Sequence, residues 1–64
     1  MNKHLQRVIT EMVADLIRQK NNLKDFPDEV MAAEYSIGTA LDIAEAMELD
    51  RRQIHRDALE EVRG

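Results

Sequence analysis

The sequence predicts an all-α fold: an antiparallel helical hairpin, with a short helix 1 and a long helix 2, that self-associates. Three observations predict it. Apolar residues recur at intervals of three and four along nearly the whole chain, which is the helical period. Strand-like alternation of apolar and polar residues is absent. Two Gly and one Pro in 64 residues leave few interruptions, and the length suits a single domain spanning 1–64.

Helix 1 is expected over about residues 2–21. Leu5, Val8, Ile9, Met12, Val13, Leu16 and Ile17 form its apolar stripe. At about 100° per residue the stripe covers roughly half the cylinder, more than one neighbouring helix needs, so two neighbours are expected. Arg7, Glu11, Asp15 and Arg18 occupy the polar back. Asn21 and Asn22 can take the left-handed conformation that ends a helix, leaving Leu23 to fold back on the last turn.

Helix 2 is expected over about 26–62. Asp25 can cap it, Pro27 suits its first turn, and Asp28 and Glu29 favour its positive end. The inward stripe reads Val30, Ala33, Ile37, Ala40, Leu41, Ala44, Met47, and its alanines allow close approach of two helix axes. A joint of about four or five residues makes the two helices antiparallel neighbours. Gly38 is mid-helix, costs about 1 kcal/mol relative to alanine, and marks a close contact or a break.

Beyond Met47 two continuations are open. In one, Asp50 caps a third helix, Gln53 reaches back, and Leu49 staples to Ile54, giving a three-helix arrangement with a break near 49–51. In the other, the helix runs on, because Ile54, Ala58, Leu59 and Val62 keep the phase of Ile37 and Ala44 and no Gly or Pro interrupts residues 39–63. The continuous helix is the favoured reading. It leaves residues 51–62 overhanging helix 1 by about 18 Å, with an apolar stripe nothing in the monomer covers.

Composition narrows the function. A chain this small buries little core, and without cysteine it has no disulfide or thiolate site, so self-association is the remaining route to stability. The net charge of −4 and pI near 5.0 disfavour phosphate backbones and anionic membranes as generic partners. No apolar run follows Met-Asn-Lys-His and none reaches membrane-spanning length, so a cytoplasmic location is expected.

No catalytic, cofactor-binding or metal-binding residue is expected. Asp42, Glu45 and Glu48 read as a solvated acidic face, and Ser36 has no base at local spacing. His4 and His55 stand near opposite ends of the chain, and a metal between them would need Glu48 or another acid beside them. Met12, Met31 and Met47 are filler. Met31, Tyr35 and Leu49 form a smaller apolar patch on the outer face of helix 2.

One string carries a motif. Small Ala44, apolar Ile43, Met47, Leu49 and Ile54, and the basic run Arg51, Arg52, Gln53, Arg56 lie within residues 40–59. This segment resembles a helix-turn-helix, with Ala44 where the two helices touch, Glu48 in place of the turn glycine, and Asp57 at the late apolar position. The resemblance implies that Arg51, Arg52, Gln53 and Arg56 reach bases or phosphates. As a whole, a short, acidic, cysteine-free helical chain is similar in style to the small accessory early-region proteins of lambdoid temperate bacteriophages. That resemblance implies contact with regulators in the host cytoplasm.

The leading expectation is a non-enzymatic interaction module: a homodimer that also binds a protein partner. Its surface would be Val8, Val13 and Ile17 of helix 1 with Ile54, Leu59 and Val62 of the overhang, and Arg51 and His55 would set register. A small DNA-binding regulator using Arg51, Arg52, Gln53 and Arg56 is the alternative.

Overall fold

The computed structural model describes residues 3–64, which form three helices and, among the described residues, no strand: α1, Lys3–Asn22; α2, Pro27–Ala46; and α3, Arg51–Arg63. Residue 2, the expected start of helix 1, lies outside the described residues.

The first joint is tight. Leu23 N–H donates to Gln19 O at 3.0 Å and Phe26 N–H donates to Leu23 O at 2.8 Å, so the chain reverses within a few residues. Phe26, not Asp25, is the N-cap of α2, and no side chain caps it. Pro27 at the first position has no N–H to satisfy and needs no cap there. α2 then folds back along α1, and Lys20 Nζ stands 3.6 Å from Glu34 Oε2 across the pair.

The helix expected to run unbroken from 26 to 62 is interrupted at residues 47–50. Glu48 sits at φ 63, in the left-handed region. Glu48 N–H donates to Glu45 O and Leu49 N–H to Ala44 O, both at 2.9 Å. These two bonds and the left-handed residue make a Schellman stop, with a glutamate where glycine is usual. Asp50 restarts the chain: its Oδ1 accepts from Arg52 N–H and Gln53 N–H, each at 3.1 Å. Leu49, expected on the outer patch, turns inward and packs against the core, which supplies the apolar contact this stop favours.

The bend removes the overhang. Ile54 and Ala58 are fully buried, as are Val13 and Ala14 of α1. Asp57 and Glu61 line one cleft with Lys3, Gln6, Arg7 and Thr10, while Val62 and Arg63 reach Ile17, Lys20 and Asn21. So α3 runs in the direction of α1, on a different flank from α2. α1 is the shared element, and α2 and α3 touch each other much less. The two neighbours that the wide stripe of helix 1 requires are therefore both present in the chain.

Candidate functional site

The outer face of α3 is set by what its inner face buries. With Ile54 and Ala58 turned toward α1, Arg52, His55, Arg56, Leu59 and Arg63 are exposed together with Glu60. Arg52, Arg56 and Arg63 are spaced by four and seven residues and share one side of the helix. Among the described residues, none of these three guanidinium groups has an ion-pair partner.

Arg51 and Gln53 are engaged inside the chain. Arg51 Nη1 donates to Asp42 Oδ1 at 2.8 Å and to Glu45 Oε1 at 3.3 Å, and the Asp42 hydrogen bond is the main cause that raises its pKa further. Gln53 Nε2 donates to Asp57 Oδ1 at 2.9 Å rather than back to the cap. Of the four residues the helix-turn-helix resemblance implies, Arg52 and Arg56 are thus open to a ligand. Arg63, which the sequence reading left out, joins them. Its spacing of seven from Arg56 was the available signal.

The expected partner surface divides. Val13, Ile17 and Ile54 are buried in the chain's own core, because α3 folds onto α1. Arg51 is held by Asp42 and Glu45. Val8, His55 and Leu59 remain exposed and Val62 is half-buried.

His55, Leu59, Val62 and Arg63 do come together, along one wall of an open groove of about 600 Å³. Glu34 and Ile37 of α2 and Ile17, Lys20 and Asn21 of α1 complete its lining. The groove exists because α2 and α3 are joined at residues 47–50 and meet α1 on different flanks. Among the described residues, no three His, Asp or Glu side chains converge as a metal site would require, and no helix is long and apolar enough to cross a membrane.

Comparison with protein-family models, with curated proteins and with solved structures gave no match for this chain.

Proposed function

We propose that the chain is a small helix-turn-helix protein that binds duplex nucleic acid through the outer face of α3. The observation that carries this reading is the turn. Glu48 holds the left-handed conformation at the position where the motif has its glycine, Ala44 is fully buried where the motif needs a small residue, and Ile54 is fully buried at a core position of the following helix. This geometry turns Arg52 and Arg56 outward, with no acid paired to them among the described residues. Such arginines give up little internal stabilisation when they meet phosphate, and their planar forks suit phosphate or guanine edges. The overhang that first favoured a purely apolar module has gone.

Acidity limits the mode of binding. With a net charge of −4, attraction must come from the local α3 face and not from the whole surface. Binding is accordingly weak and steeply salt-dependent.

The test is fluorescence anisotropy with a mixed-sequence DNA duplex, titrated at several salt concentrations. Supporting behaviour is binding at about 50 mM salt that declines steeply toward 200 mM and is lost in Arg52→Ala/Arg56→Ala. A chain that leaves the duplex free at low salt and high protein concentration retires the reading.

A further inference from the structure

We infer that two copies of this chain associate about a two-fold axis parallel to α2, each inserting Met31 and Tyr35 into the other's α2–α3 groove. This goes beyond the nucleic-acid reading and does not depend on it.

Among the described residues, the most exposed large apolar side chains are Met31, at 68%, and Tyr35, at 77%. They are one turn apart on α2, beside Asp28. At about 100° per residue, Glu34 and Ile37, which line the groove, lie on the adjoining flank of the same helix. An apolar ridge thus stands directly beside a groove of mixed lining, whose apolar part is Ile17, Ile37, Leu59 and Val62, at the same height on one helix. A two-fold axis parallel to α2 sets the ridge of one copy against the groove of the other, and the reverse contact follows by symmetry.

Gly38 lies between ridge and groove. A Cβ there would meet nothing within 4 Å in the chain, and its φ is not positive. The fold therefore gains nothing from glycine, which is costly inside a helix. Close approach of a second α2 at this point accounts for it.

Charge favours a second copy as the occupant. α2 carries Asp28, Glu29, Glu34, Asp42 and Glu45 and no lysine or arginine. The α3 wall of the groove offers Arg63, while Lys20, also in the lining, is paired with Glu34. Asp28 on the incoming ridge then faces Arg63. Asp42 and Glu45 share the face of Gly38, and Arg51, paired with both, cancels one of their two negative charges and so lowers their repulsion of the symmetry mates. Arg52 and Arg56 line no part of the groove, so association leaves them outward in both copies.

The experiment is sedimentation velocity on the full chain, without nucleic acid, at concentrations up to roughly 500 μM, where weak interfaces still populate the associated state. The expected mass rises toward twice the 7.4 kDa of one chain. Tyr35→Glu and Gly38→Leu each weaken association at least about tenfold with circular dichroism unchanged. Asp28→Arg and Arg63→Asp each weaken it, and the double variant restores it. A chain that stays at single mass throughout, or that binds an acidic amphipathic peptide in the groove while remaining single, overturns the proposal. So does association that Tyr35→Glu leaves intact.

Discussion

The Glu61 carboxyl of α3 faces the Glu11 carboxyl of α1, so two like charges meet across a packed helix pair. As a carboxylate, Glu61 leaves Oε2 shielded from water with no hydrogen-bond partner. Protonated, it shares a hydrogen bond with Glu11. That bond, then desolvation and the Glu11 charge, raises its pKa above the ordinary glutamate value, against weaker opposing pulls from Arg7 and Arg18.

A raised folded-state pKa stabilises fully below the unfolded value, near about 4.3, and the contribution is lost as pH rises through the folded value. Glu61→Gln keeps a donor toward Glu11 at every pH. The variant is expected to melt above the wild type at pH 7–8, with the advantage shrinking as pH falls toward the unfolded glutamate value. Thermal circular dichroism of both proteins at several pH values measures this. A wild-type advantage at pH 8 contradicts the pairing.

Glu48 is the one described non-glycine residue at positive φ. A side chain in that region costs on the order of 1 kcal/mol, part of which glycine returns through greater freedom when unfolded. Glu48→Gly is expected to stabilise by up to about 1 kcal/mol, or several degrees in melting temperature for a domain this size. Destabilisation by that substitution means that residues 47–50 do not adopt this turn.

Much of α1 and α2 was legible because burial follows the helical period: Ile9, Val13, Ile17, Ala33, Ile37, Leu41 and Ala44 are inward, whereas Val8, Met12 and Met47 at the edges of the expected stripes are exposed. The stop at Glu48 was not legible, for two physical reasons. The residue in the left-handed region has a side chain that disfavours it, so the glycine signal is missing. Ile54 and Ala58 also face inward after the bend, so phase continuity could not separate a straight helix from a bent one. The readable evidence lay in Leu49 and Asp50, an apolar residue before a cap. The width of the α1 stripe pointed correctly to a second neighbour, but the sequence could not say that the neighbour was α3 of the same chain. Of the candidate site, Arg52 and Arg56 could be read from the motif. The capture of Arg51 by Asp42 and Glu45 depends on the bend and was out of reach.

Gly38→Ala removes a helix-interior glycine where the added methyl meets nothing in the chain. It is expected to stabilise the single chain by about 0.5–1 kcal/mol. Urea unfolding at low micromolar concentration, where association is negligible, isolates this effect. A neutral or destabilising result means that α2 is not helical through residue 38.

Ile54 separates a folded-back α3 from an exposed one. It is fully buried against α1 and the core. Ile54→Ala is expected to cost about 2–5 kcal/mol, and Ile54→Asp, which buries an unpaired charge, to unfold the chain outright. If Ile54→Asp keeps its helical signal and merely changes assembly state, α3 does not pack on α1.

Arg51 and Arg52 are adjacent in sequence, yet the fold gives them opposite tasks. Arg51 is pinned to Asp42 and Glu45 at the surface, where water screens the contact and its contribution to stability is small. Among the described residues, Arg52 and Arg56 have no ion-pair partner. Each arginine that neutralises a phosphate adds about 0.9 to the slope of log affinity against log salt. Arg52→Ala/Arg56→Ala is therefore expected to flatten the slope by about 2 without moving the melting temperature. Arg51→Ala is expected to leave the slope nearly unchanged and to lower the melting temperature slightly. Salt titrations of duplex binding, run beside thermal melts, read both quantities. Equal loss of slope in both variants places Arg51 on the ligand and dissolves the division of labour between the two residues.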